Sequence, residues 1–274
     1  MSLPILQVHH EPTPIDLVRL FHRTSAMWVT HLAEGESLDA GTAYANSELA
    51  ALPDANNFRD AALHDRLSAG DAIGQVESHY RQQGARCAYW VMNPSAPPAQ
   101  TQPLIDHLLA GGYRRRSDDI YYLRKVALRE TPVSAEFKVI PARASYRLVE
   151  QLAREAHAGP EVDRHVEATL RHLDDAHYDA LLGLSGDRAV ASLGVLSVGE
   201  LAQIQQIYVA PASRRQGLGR LMFNRGLEIC ARSLSKHIFA QLDPQDEASR
   251  ALITRFGFTR LATFDRYVAP PPGA

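Results

Sequence analysis

Cysteine is nearly missing from this chain. Two residues in 274, Cys87 and Cys230, cannot build a disulfide framework. Both fall inside periodic segments, where they read as small buried hydrophobes of a reduced, cytoplasmic protein. No apolar run approaches ~20 residues, which speaks against a membrane span and a membrane partner. The opening stretch, MSLPILQVHHEPTPIDL, has neither the basic start nor the long apolar core of a secretion signal. An excess of one charge is lacking as well. The 29 Lys and Arg against 31 Asp and Glu leave a net charge of −2, which gives no reason to expect nucleic acid as a partner. Tight metal-ligand spacing is absent: His165, His172 and His177 follow no zinc-like pattern, so no metal is expected.

What is present suits two globular domains. The length accommodates two units of about 130 to 140 residues, and 45% apolar with 22% charged residues is an ordinary soluble composition. Residues 14–52 are rich in helix formers, with Ile15, Leu17, Val18, Leu20, Phe21 and Trp28 at roughly helical spacing. A second helix is predicted over 71–83, a strand at ARCAYWVMN, a third helix at PLIDHLLAGGY and a strand at DDIYYLRKV. The polar stretch LRETPVSAE, residues 128–136, reads as a linker. Beyond it come a strand at FKVIPA, two amphipathic helices, and three strands separated by turns at Ser185-Gly186-Asp187 and Val198-Gly199-Glu200. A helix reaching about Leu234, a strand at KHIFAQLD, a helix over 247–255 and a strand around ATFDRYV complete the pattern. The halves, 1–130 and 137–268, echo each other at a shift of 145 residues. Gly112-Tyr113 then falls on Gly257-Phe258, Arg115 on Arg260 and Tyr122 on Tyr267.

The most specific stretch is YVAPASRRQGLGRLMFNRGLEIC. A phosphate-binding P-loop would end in Gly-Lys-Ser/Thr, which is absent. A dinucleotide turn would need Gly where Met222 stands. What remains is Arg-x-x-Gly-x-Gly between a strand and a helix: Arg214, Arg215, Gln216, Gly217, Leu218 and Gly219. The amides of about Gln216 to Arg220 have no partner inside the following helix, and the helix dipole adds partial positive charge there. Glycines at 217 and 219 would let a pyrophosphate approach the backbone, with Arg214, Arg215 and Arg220 at the rim. A glycine-capped turn with a solvated basic face accounts for the same residues without a ligand.

Through IYVAPASRRQGLG and DEASRALITRFGF, residues 137–268 resemble the GNAT superfamily of acetyl-coenzyme A-dependent N-acetyltransferases. The resemblance implies an α/β (α+β) fold. It also implies two GNAT-like domains in tandem, each a mixed, mostly antiparallel sheet flanked by helices. In the C-terminal domain the fourth and fifth strands would splay apart. Acetyl-coenzyme A, a co-substrate, would enter that wedge along Ile207, Tyr208 and Val209, its pyrophosphate on Gln216 to Arg220, with Asp246 at the position where relatives often carry Asn. The implied activity is acetyl transfer to the primary amine of a small molecule or peptide, by a monomer or homodimer. A non-catalytic acyl-coenzyme A sensor or scaffold is the alternative.

The chain departs from the family where catalysis is concerned. The tyrosine that commonly protonates the departing thiolate is replaced by Ile253. Ser249, one helical turn earlier, is a candidate acid or a small packing residue. Glu200, at the start of the fourth strand, is a candidate base or a solvated carboxylate. Gln203 and Gln205 share one strand face and would line the acceptor side, or simply form a polar face covered by the first half. In that first half AGDAIG would stand where the pyrophosphate loop should be. It has no counterpart of Arg214, and Asp71 would place a carboxylate where phosphate belongs, so a degenerate copy that binds no coenzyme A is expected.

Overall fold

The computed structural model describes residues 11–64, 66–126, 128, 136–157 and 159–271. Most of the linker read at 128–136 and both chain ends lie outside them.

Thr13 starts the first helix, α1 (Pro14–Thr30). Its hydroxyl accepts from the Asp16 amide, the Asp16 carboxylate accepts from the Thr13 amide, and Pro14 fills the first turn. The helix-rich reading of 14–52 holds only as far as Thr30. Gly35–Leu38 (β1) and Gly41–Tyr44 (β2) pair as a hairpin, and Asn57–Ala61 (β3) adds a third strand. Close approach explains the departure: a Cβ on Gly41 would lie 2.5 Å from the Arg59 carbonyl oxygen, a constraint that comes from the neighbouring strand. The rest of the first half is α2 (Ala69–Gln82), β4 (Tyr89–Met92), α3 (Pro98–Ala110) and β5 (Arg114–Leu123). The second half runs β6 (Phe137–Pro141), α4 (Tyr146–Ala156), α5 (Val162–Leu173), β7 (Tyr178–Ser185), β8 (Arg188–Val198) and β9 (Leu201–Val209). It ends with α6 (Leu218–Arg232), β10 (His237–Leu242), α7 (Glu247–Arg255) and β11 (Thr259–Val268).

Among the described residues the eleven strands form one sheet, in the order β1-β2-β3-β4-β11-β5-β10-β9-β8-β7-β6. Pairing is antiparallel except for β3 with β4 and β9 with β10, the two places where a helix crosses over. The halves are built alike, and a shift of 145 residues carries β5 onto β11 at both ends. The helices before them close on glycines in the same left-handed conformation, Gly112 at φ 85° and Gly257 at φ 91°. The final strands are exchanged. β5 of the first half lies against β10, and β11 of the second lies against β4. The two pair antiparallel with each other, and Arg115–Asp265 (2.7 Å) and Arg260–Asp119 (2.8 Å) tie the joint on either side of its centre.

On one face α6 packs against β8 and β9 through Leu221, Met222 and Leu227; Gly226 lets it approach, since a Cβ there would meet Leu193 at 2.6 Å. α4 and α5 cover the other face. α1 lies beside them and spans the junction: Leu17 and Phe21 pack with Tyr89, Ile120, Phe239 and Phe264, and Trp28 reaches Leu173 and Tyr178. Both cysteines are buried free thiols, and burial pushes each up to about 12.

Candidate functional site

The site is organised by one strand, β9. Its parallel ladder with β10 runs from Leu201–His237 to Ile204–Ala240 and stops there. Beyond it β9 continues to Val209, while its register against β8 shifts between Ser192 and Gly194 and Gln206 turns to φ 49°. The strands therefore splay where the resemblance placed the wedge. A cleft of about 330 Å³ opens there, lined by Ile207, Tyr208, Val209, Arg214, Arg215, Gly219, Asp246, Ser249 and Leu252 among others.

The loop at its mouth is shaped for exposed amides. Arg215 (φ 65°) and Gly217 (φ 82°) are left-handed, Gly217 is the N-cap of α6, and no side chain caps that helix end. The first amides of α6 are thus left to solvent or a ligand. A Cβ on Gly219 would lie 3.7 Å from Val209 and 3.9 Å from Leu252, so any larger side chain there extends into the cleft. Arg214 folds back to donate to the Val209 carbonyl at 3.0 Å, and Gln216 donates to that of Ala212 at 3.3 Å. Leu218 points into the core and contributes only its backbone. Asp246 caps α7, accepting from the Ser249 amide at 2.9 Å, which places both residues on the cleft wall.

Two positions read from the sequence are not brought into this cleft. Glu200 lies at the opposite end of β9, roughly 20 Å along the strand from Ile207, and its carboxylate pairs with Lys236 at 2.5 Å. Ile253 is fully buried, packed in the core that includes Phe223, Phe256 and Phe258. The AGDAIG segment forms the start of α2, where the Asp71 carboxylate accepts from the Ser68 hydroxyl at 2.6 Å.

Two further spaces meet β9 on the face covered by α1, α4 and α5. An apolar cavity of about 270 Å³ lies under α4 and α5, bordered by Gln206, Ile207 and Tyr208 and by Leu152, Leu173 and Leu193. Tyr178 fills the place of a side chain at Gly194, its hydroxyl oxygen 2.0 Å from where a Cβ would stand, and burial raises its pKa. The second space is polar, about 210 Å³, and lies at the foot of the splay. Gln203 and Gln205 of β9 and Gln241 and Asp243 of the β10 end line one side; Ser25, Asp54, Arg59 and Tyr89 of the first half line the other, with Asp118 and Arg266 between. Gln203 and Gln205 do share a face, and the first half covers it. The residues it supplies have no local sequence signal: Arg59 is one charge in the short strand NFRDA.

Residues 146–258 match the model of the acetyltransferase (GNAT) family. This stretch is similar to GNAT acetyltransferase domains, a family whose chemistry is acyl transfer. No curated protein matches the chain. Among solved structures, a GCN5-related N-acetyltransferase from Kribbella flavida is 13% identical with a TM-score of 0.62, covering 94% of this chain and 96% of that one. A tandem GNAT protein from the clavulanic acid biosynthesis pathway, solved without AcCoA, is 13% identical with a TM-score of 0.54, covering 90% and 93%. A functionally unknown conserved protein from Staphylococcus epidermidis is 12% identical with a TM-score of 0.58, covering 86% and 94%. The full chain therefore shares the tandem GNAT fold.

Proposed function

We propose that the chain transfers an acetyl group from acetyl-coenzyme A to the primary amine of a small molecule or peptide. The carrying observation is the coincidence of three features at one cleft: the end of the β9–β10 ladder, the uncapped amides of α6, and Gly219 on the cleft wall. In this reading the pantetheine arm lies along Ile207 to Val209 and the pyrophosphate on the amides from Gln216 to Arg220. The amine enters from the polar chamber. Its nitrogen attacks the thioester carbonyl, the C–S bond breaks, and the amine proton leaves through water at Gln203 and Gln205 or to the departing thiolate. Without a general acid at 253, rate depends chiefly on positioning and a polarised carbonyl. Burial of Ile253 equally suits a sensor that binds acyl-coenzyme A without turnover, and thiol release over an amine panel separates the two.

The test of the cofactor site is Gly219→Asp, which sets a carboxylate beside the phosphates at a helix start that tolerates acids, costing only about 1 kcal/mol of stability. Calorimetric titration should show acetyl-coenzyme A binding to the native chain and its loss in a variant that still melts cooperatively. Unchanged affinity would overturn the reading.

A further inference from the structure

The polar chamber runs across the sheet under α1, from Tyr89 on β4 past Phe264 and Arg266 on β11, Asp118 on β5 and Gln241 on β10 to Gln203 on β9. Four strand spacings of about 4.8 Å separate its ends along a flat sheet, so it is long rather than round. Its charges are unevenly paired. Asp118 is engaged by Arg266 and by Gln241, the latter at 2.6 Å. Arg59, at the far end, is 4% exposed, and its partners are all neutral: Asn57 Oδ1 at 2.8 Å, Ser25 Oγ at 3.2 Å and Tyr89 Oη at 3.4 Å, with the Phe264 ring 5.9 Å away. Asp54 reaches it only through Tyr89, whose hydroxyl donates to Asp54 at 3.0 Å. Among the described residues no carboxylate forms an ion pair with Arg59. A guanidinium has five N–H donors, and three are used here.

A buried cation without a contacting anion is costly, and the cost falls when a ligand brings the anion. At the other end Gln203, 1% exposed, has a buried side-chain oxygen with no hydrogen-bond partner, an acceptor suited to an N–H. One end thus offers a cation without a contacting anion and the other an unused acceptor on β9, the strand that borders the cleft further along. Asp54, Asp118 and Asp243 in the same space favour a singly charged carboxylate over a dianionic phosphate, and the planar fork of Arg59 matches its geometry.

We propose that the chamber holds an elongated amine that carries a carboxylate at its far end, the carboxylate on Arg59 and the amine at Gln203 facing the cleft. This rests on the reading of the chain as an N-acyltransferase and specifies its acceptor class. The first half would then supply the residue that selects the acceptor.

The test uses the full chain with acetyl-coenzyme A and a free-thiol readout. The probes are ω-amino acids of increasing length and glycyl dipeptides, each against its own carboxamide. Carboxylates should exceed carboxamides in kcat/KM by about tenfold to a hundredfold, with an optimum at one length. Arg59→Gln should bring that ratio near one while calorimetry shows acetyl-coenzyme A affinity unchanged; Arg59→Lys should retain part of it. If Arg59→Gln fails to melt cooperatively, Gln203→Leu serves: it should weaken acceptor binding in a folded protein. Calorimetry of the same acids without donor keeps the two readings apart. No thiol release but Arg59-dependent binding of acids over amides sinks the enzyme and keeps the carboxylate site. Thiol release indifferent to the carboxylate, discrimination that survives Arg59→Gln, or no binding by any acid overturns this proposal.

Discussion

Ile253 shows how one position decides what chemistry a helix can offer. The family pattern implies a phenol near the sulfur, but this residue is wholly inside the core between α6, α7 and the sheet. Ile253→Tyr therefore adds volume to a packed site and should destabilise by roughly 1 to 3 kcal/mol. A melting curve should drop by several degrees, and thiol release with an identified acceptor should not rise. A folded variant with faster turnover would show that the ring reaches the cleft. Ser249 and Asp246 do face that cleft, though Asp246 is also the cap of α7. Replacing it would loosen the helix as well as alter the cleft wall.

Packing between elements fixes how α1 closes over the sheet, and a histidine records it. His172 of α5 is 2% exposed and stacks on Trp28 of α1 at 3.4 Å between ring centroids, tying the first-half helix to the second half. Burial, with some help from His31, pushes it down to about 3. In the unfolded chain it protonates near 6.5. Between those values protons bind the unfolded chain in preference. Its contribution is therefore complete above pH ~6.5 and is lost as pH falls toward about 3, by up to roughly 1.4 kcal/mol per pH unit. His172→Phe keeps a ring on Trp28 and removes the titration. Melting temperature measured from pH 7 down to about pH 5.5, above most carboxylate titration, should fall less steeply in the variant. Parallel slopes would mean His172 does not stay neutral in the fold.

The whole molecule is one sheet made by exchange. β5 stands between β10 and β11, and β11 between β4 and β5, so cutting the chain at the linker strips each half of an internal strand. A fragment of residues 137–274 alone would present unpaired edges on β10 and β11. It should give no cooperative melt, whereas co-expressed fragments 1–126 and 137–274 should copurify. The intact chain should unfold in one calorimetric transition with matching calorimetric and van't Hoff enthalpies. Two separated transitions would show that the joint is weaker than its pairing suggests.

Much of the second half was legible because its signals are local. The register of Arg214, Gly217 and Gly219 against a helix, and turns at Gly186 and Gly199, are written within a few residues of where they act. The 145-residue echo was legible too, since two glycines and two ten-residue strands recur in order. The hairpin of β1 and β2, the exchange of β5 and β11 and the burial of Ile253 were not. Nor was the placement of Arg59 across the sheet from Gln203. Each of these depends on which distant strand lies alongside, and nothing within a short window of the chain encodes that neighbour. Backbone capping and periodicity act over one or two helical turns, whereas a chamber roofed by α1 and floored by five strands exists only after the halves have closed on each other.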